Sequence, residues 1–228
     1  MTSEAHQSPY HGVFFDLDGT LADTAPDLVA ATNLLLEVRN QPLKPYDILR
    51  PCASAGARGL IEGAFGITPA HPDFIGLRDE FMANYERGLL VDSTLFDGIE
   101  HLLHQMDDAK LPWGIITNKS ERFTNPLIKL MGLHDRSIAT VSGDTTPYSK
   151  PHPEPILHAA RIANIDPAKS IYVGDDIRDV IAGKAAGMQT VAAAYGYCGC
   201  KEPPEAWGAD YIIHHPLELL QIIFPSRE

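Results

Sequence analysis

Val13-Phe14-Phe15-Asp16-Leu17-Asp18-Gly19-Thr20 is the stretch on which the reading of this chain turns. It opens with an apolar run and ends in two acids, a glycine and a threonine. A short run without charge is what a strand covered on both faces of a parallel sheet requires. In extended chain, side chains two apart point the same way, so Asp16 and Asp18 are expected to face one site. Gly19 permits a sharp turn directly after them. The carboxyl ends of parallel strands are where open α/β sheets bind ligands. Two carboxylates this close repel each other unless a cation neutralises them.

Comparable runs recur at Trp113 to Ile116, Ile138 to Val141, Ile171 to Val173 and Thr190 to Ala193, with a less apolar one at Tyr211 to Ile213. Helical patterns lie between them. Ile99, Leu102, Leu103 and Met106 share one face, and a second helix over Arg178 to Ala186 stops at Gly187. This alternation predicts an α/β fold with a doubly wound, mainly parallel sheet. From about Leu21 to Val91 it fails. That segment holds no convincing strand; Leu28, Ala31 and Leu35 line one helical face, and Phe74, Leu77, Phe81 and Tyr85 another. We expect residues 21–91 to be a helical insertion, with residues 1–20 and 92–228 forming the α/β core.

Three further strand ends carry chemistry. Trp113 to Ile116 leads into Thr117-Asn118-Lys119, where a hydroxyl and backbone N–H groups make a cradle for an oxyanion. Lys150 stands in Ser149-Lys150-Pro151, just before a helix containing Ile156, Ala159 and Ala160. Ile171 to Val173 ends in Gly174-Asp175-Asp176, with Asp179 one turn on. Asp175 and Asp179 are four apart and share a helix face. Crowded carboxylates of this kind call for a hard cation, for which oxygen ligands point to Mg²⁺. Asp176 reads as the N-cap of the helix that follows.

Composition narrows the partners. Thirty acidic residues against 18 basic ones give a formal charge of -12. Such a surface repels a phosphate backbone, which argues against nucleic-acid and anionic-membrane binding. It also repels a small anion, so a phosphate site must gather its few cations locally. Lys150 supplies one. Cys52, Cys198 and Cys200 are too few and too oddly placed for a disulfide framework. The N-terminal MTSEAHQSPYHG lacks the apolar stretch of a signal peptide, and no run approaches the roughly 20 apolar residues that span a bilayer. A cytoplasmic setting is therefore expected. His101 with His104, and His214 with His215, lack metal-ligand company and read as solvated or packed.

The ordered set D-x-D, Thr, Lys, GDDxxD resembles the haloacid dehalogenase-like superfamily of phosphohydrolases over roughly Gly12 to Phe224, and residues 21–91 look like its helical cap of the first type. The resemblance implies that Asp16 is a nucleophile forming an aspartyl phosphate. As a carboxylate it should already be ionised at neutral pH. By the same resemblance Asp18 is the general acid and base, whose presence favours phosphoryl chemistry over dehalogenation. Thr117 and Lys150 match the phosphate-binding pair. Mg²⁺ would be held by Asp16, the backbone carbonyl of Asp18, Asp175 and Asp179, the last directly or through water.

Substrate choice falls to the insertion. Ser54, Gly56 and Arg58, with Asn118 from the core, are the candidate substrate-binding residues; Gly56 lets backbone approach a ligand and Arg58 can clamp a carboxylate. The segment Arg50 to Arg58 resembles the substrate loop of phosphoglycolate phosphatases. Ser54 to Arg58, Trp113-Gly114, Gly174 to Asp179 and the tail Trp207 to Asp210 with His215 to Leu219 resemble bacterial N-acetylmuramic acid 6-phosphate phosphatases, toward which the reading leans. Tyr195-Gly196-Tyr197 is expected to flank the site. A phosphomutase and a non-catalytic sensor of phosphorylated ligands are the rival classes. The first would release little inorganic phosphate, and the second has no use for a nucleophile. The expected partner is a small phosphorylated metabolite, and the expected state a monomer or homodimer.

Overall fold

The central strand, β1 (Gly12–Phe15), is buried along its whole length, as its unbroken apolar sequence requires. The computed structural model of the chain describes residues 8–199 and 202–225, so MTSEAHQ and Cys200 lie outside the described residues. On one side β1 pairs in parallel with β4 (Trp113–Ile116), Val13 opposite Trp113; on the other it pairs with β6 (Ser170–Gly174), Val13 opposite Ile171. Adding β5 (Thr140–Val141), β7 (Gln189–Ala193) and β8 (Tyr211–Ile213) makes a parallel sheet of order β5-β4-β1-β6-β7-β8. The outermost run is shorter than expected. Ile138 is 46% exposed, so β5 keeps only Thr140 and Val141.

Alternation along the strands splits the core into two layers. Val13 and Phe15 pack with α5 (Ile99–Asp108), α6 (Glu121–Leu130) and α9 (Leu219–Ile223) through Leu102, Leu127 and Leu219. Phe14 and Tyr172 face the other way, onto Ile156 and Ala159 of α7 (Glu154–Ala163) and Ala182 of α8 (Ile177–Ala185). The sheet is thus covered by helices on both faces, the doubly wound α/β arrangement.

Between β1 and α5 the chain leaves the sheet. It runs through α1 (Ala25–Glu37), α2 (Tyr46–Leu49), a 3-10 turn (Arg50–Ala55), α3 (Gly56–Phe65) and α4 (Phe74–Arg87). Leu28, Leu35, Leu60, Ile61, Phe74, Leu77, Phe81 and Tyr85 form their own apolar cluster, which meets the rest of the chain at Phe123 and Tyr197. Contrary to the expectation of no strand after Leu21, Ala22–Asp23 (β2) pairs antiparallel with Thr94–Leu95 (β3). A two-residue strand is too short to show periodicity, and its partner lies about seventy residues on. The returning chain is fixed a second time. Buried Asp27 accepts the N–H groups of Val91, Asp92 and Ser93 at 3.0, 2.9 and 3.1 Å, and the Ser93 hydroxyl at 2.5 Å.

Candidate active site

β1 stops at Phe15, one residue before the first acid. Asp16 therefore leaves the sheet with its N–H still on Val173 O at 2.9 Å, and its carboxylate accepts the Leu17 N–H at 2.8 Å. A turn, rather than extended chain, carries the backbone to Asp18, yet Asp16 and Asp18 line one cavity. At Gly19 φ is 85°, and a Cβ would stand 2.1 Å from Asp175 Oδ2. Only glycine allows the Asp175 carboxylate to lie against this turn.

β6 delivers the remaining acids. Asp176 caps α8, accepting the Arg178 N–H at 2.9 Å, while its own N–H donates to Asp179 at 3.1 Å. That reciprocal cap turns Asp179 inward. Carboxylate oxygens of Asp16, Asp175 and Asp179 lie within 4.8 Å of one another. Lys150 Nζ sits 2.9 Å from Asp16 Oδ1 and 2.8 Å from Asp179 Oδ1, and donates to Ile116 O and the Tyr172 hydroxyl, both at 2.8 Å.

Burial is the main force on these charges. It pushes the Asp16 carboxyl up to about 7, with Asp179 and Asp18 reinforcing it and Lys150 opposing it. Burial thus works against the ionised form of Asp16 that the sequence predicts, and a cation beside it would favour that form. Burial likewise raises Asp175 well above the usual carboxylate range, with Asp16 and Asp179 adding to it. For Lys150 burial works against the charge, but Asp16 and Asp179 outweigh it and hold the ammonium. With all three acids ionised, one ammonium would leave two negative charges, so the cluster fits a divalent metal ion bound through oxygen.

The cavity, about 290 Å³, is also lined by Ser54, Gly56, Thr117, Asn118, Lys119 and Arg178. Thr117 is buried and accepts the Lys119 N–H at 3.1 Å. Asn118 spends its side chain on the Lys150 backbone, donating to Lys150 O and accepting its N–H, both at 2.9 Å. Its observed work is to position Lys150. The Ser54 hydroxyl donates to Asp176 Oδ2 at 2.5 Å. A Cβ on Gly56 would meet nothing within 4 Å; glycine is needed there for a φ of 58°, not for close approach. Arg58 is exposed and lines a different cavity of about 520 Å³, with Glu62, Cys198 and Trp207.

Several participants were not singled out from sequence. Lys119 pairs with Asp18 Oδ1 at 2.6 Å, and Thr24 donates to the same oxygen at 2.5 Å. A search for local cations would have found Lys119 beside Thr117. Arg178 holds Asp176 at 2.7 Å and Ser54 O at 2.6 Å, tying the core to the insertion. Leu28, Phe81, Met82, Tyr85 and Phe123 form the apolar wall of the cavity that holds the acids. The Tyr195-Gly196-Tyr197 loop does flank the site, as expected. The Tyr197 N–H holds Asp175 at 2.8 Å, and its hydroxyl accepts the N–H groups of Thr24 and Ala25.

The family model for haloacid dehalogenase-like hydrolases matches residues 13–193. The chain is 42% identical over 211 residues to the N-acetylmuramic acid 6-phosphate phosphatase of Pseudomonas putida, covering 92% of this chain and 95% of the relative. It is 40% identical over 210 residues to the phosphoglycolate phosphatase of Xanthomonas campestris pv. campestris, covering 91% and 93%. The crystal structure of a predicted phosphoglycolate phosphatase from Haemophilus somnus superposes with a TM-score of 0.83 at 24% identity, over 94% of this chain and 98% of that one. That last likeness concerns the fold alone. Among the described residues no helix is long and apolar enough to cross a membrane.

Proposed function

This chain belongs to the haloacid dehalogenase-like hydrolases, and on that premise we propose that it hydrolyses N-acetylmuramic acid 6-phosphate through a phosphate ester on Asp16. Asp16 attacks phosphorus while Asp18 protonates the leaving oxygen. Asp18 then takes a proton from the water that opens the aspartyl phosphate. Thr117 and Lys150 hold the non-bridging oxygens, and Asn118 fixes Lys150. Asp16, Asp175, Asp179 and the Asp18 carbonyl would hold Mg²⁺. The ion, when bound, neutralises charge on the phosphoryl group and favours the ionised form of Asp16.

The observation that carries the substrate choice is the wall of Leu28, Phe81, Met82, Tyr85 and Phe123 in a cavity of about 290 Å³. A two-carbon phosphorylated acid has no apolar surface to set against it. A hexosamine bearing N-acetyl and lactyl groups does. Phosphoglycolate remains the second reading because relatives of that name are 40% identical. The same reading has the enzyme in the cytoplasm, as a monomer or homodimer. It takes Arg178 in preference to Arg58 for contact with the substrate, since Arg178 lines the cavity that holds the acids and Arg58 does not.

Phosphate release from the two substrates, measured side by side with Mg²⁺, tests this. A kcat/KM at least about a hundredfold higher on the muramic acid phosphate is expected, roughly 2.7 kcal/mol of transition-state binding. The reverse preference would assign the glycolate branch. Asp16→Asn is expected to abolish turnover on both, and appreciable steady-state turnover by that variant would sink the mechanism.

A further inference from the structure

Lys119 comes directly after Thr117 and Asn118, and its ion-pair partner is Asp18 rather than one of the three clustered acids. Its side chain is 8% exposed, and its ammonium lies 2.6 Å from Asp18 Oδ1. The Thr24 hydroxyl reaches the same oxygen at 2.5 Å. Both donors that reach the Asp18 side chain among the described residues thus converge on Oδ1. An oxygen accepting an ammonium proton and a hydroxyl proton has both lone pairs engaged and no place for a proton of its own.

Lys119 is itself held from the other side. Its Nζ lies 4.8 Å from the centre of the Tyr85 ring, on α4 of the insertion. An ammonium over an aromatic face is attracted by the ring's charge distribution, more strongly when desolvated. The ammonium therefore has a carboxylate on its core side and a ring on its insertion side.

We propose that Lys119 is a positioning residue that fixes the rotamer of Asp18 and so assigns proton exchange to Oδ2. The proposal rests on the reading of Asp18 as general acid and base. In the first half-reaction the bond from Asp16 to phosphorus forms as the bond to the leaving oxygen breaks, and the proton of Asp18 Oδ2 goes to that oxygen. In the second, water bonds to phosphorus and the bond to Asp16 breaks. Oδ2 takes the proton that the water releases, which returns both carboxyl groups to their starting states.

The test compares leaving groups. An alkyl or sugar phosphate needs a proton on its leaving oxygen, whereas 4-nitrophenyl phosphate does not. Wild type, Asp18→Asn, Lys119→Met, Lys119→Gln and Lys119→Arg are assayed on both substrates. Asp18→Asn is expected to lose about a hundredfold more on the alkyl phosphate than on the aryl one. Lys119→Met and Lys119→Gln are expected to show the same bias at about tenfold, in kcat and not in KM, with partial rescue by Lys119→Arg. Equal losses on both substrates would mean that Lys119 only binds phosphate or supports the fold, and would overturn the proposal. So would the absence of any loss. If Asp18→Asn shows no bias, the acid/base reading of Asp18 has failed and the proposal fails with it, a pattern distinct from a bias present in Asp18→Asn and missing from the Lys119 variants.

Discussion

Asp16 and Lys150 are in direct contact, Oδ1 to Nζ at 2.9 Å, with 13% and 2% of their side chains exposed. Burial and the acids around Asp16 oppose this contact and push its carboxyl up to about 7. A free carboxyl in the unfolded chain titrates near 3.9. Between these limits the folded state holds a proton that the unfolded state has lost, so stability of the cation-free protein falls as pH rises through the window. A divalent ion competes with that proton. The thermal shift produced by Mg²⁺ is therefore expected to be larger at about pH 8 than at about pH 5.5. Differential scanning fluorimetry would decide, and an equal or larger shift at the acid end would contradict the assignment.

Lys150→Met separates two roles of one charge. Without its ammonium, Asp16 and Asp179 lose a shared counterion at 2.9 and 2.8 Å. The cluster becomes more negative, so the metal is expected to bind more tightly, as read by calorimetry. Turnover is expected to fall by about a hundred- to a thousandfold, the usual cost of removing a donor to a developing oxyanion. Weaker metal binding in this variant would mean that Lys150 organises the acids rather than opposing the ion.

Gly196→Ala probes the cluster of acids from behind. A Cβ there would stand 2.3 Å from Asp175 Cβ and 2.3 Å from Gly19 O, and backbone cannot yield that far. Asp175 must shift, although no reacting group is altered. The Mg²⁺ concentration giving half-maximal activity is expected to rise at least about tenfold, as for other supports of metal ligands. An unchanged requirement would show that the loop can move aside.

Tyr85 combines a buried ring with a buried hydroxyl that makes no well-aligned hydrogen bond among the described residues, although the Lys119 ammonium lies close enough to act on it. Burial pushes the phenol up, and the nearby Lys119 charge only partly opposes this. Deleting a hydroxyl without a well-aligned hydrogen bond removes a desolvation cost without opening a cavity. Tyr85→Phe is therefore expected to be neutral or to stabilise by up to about 1 kcal/mol, whereas Tyr85→Ala should cost about 3 kcal/mol or more. Urea denaturation distinguishes them. A clear loss in the Phe variant would reveal a partner for the hydroxyl in solution.

Much of this was legible because parallel strands write themselves as charge-free runs, and their ends follow at once. Asp16, Thr117 and Asp175 each come directly after such a run, which is why one cavity collects them. What escaped depended on pairing across distance. Ala22–Asp23 becomes a strand only because Thr94–Leu95 lies beside it. Lys119 finds its ion-pair partner in Asp18, about a hundred residues earlier. Arg58 was singled out for its chemistry, but the direction of an exposed helical side chain depends on how α3 sits over the core, and it points to a neighbouring cavity. The ionisation of Asp16 likewise follows from burial, which sequence does not measure.

The β2–β3 ribbon has a consequence for the history of such a molecule. The insertion departs and returns on adjacent antiparallel strands, Ala22 opposite Leu95 and Asp23 opposite Thr94. Its mouth is therefore about 5 Å wide, the spacing of two paired strands. Whatever spans that gap can be lengthened, shortened or exchanged without disturbing the order of the sheet, because Asp16, Thr117, Lys150 and Asp175 all lie outside it. Selection can thus redraw the wall at Phe81 and Met82 while the clustered acids and Lys150 keep their places.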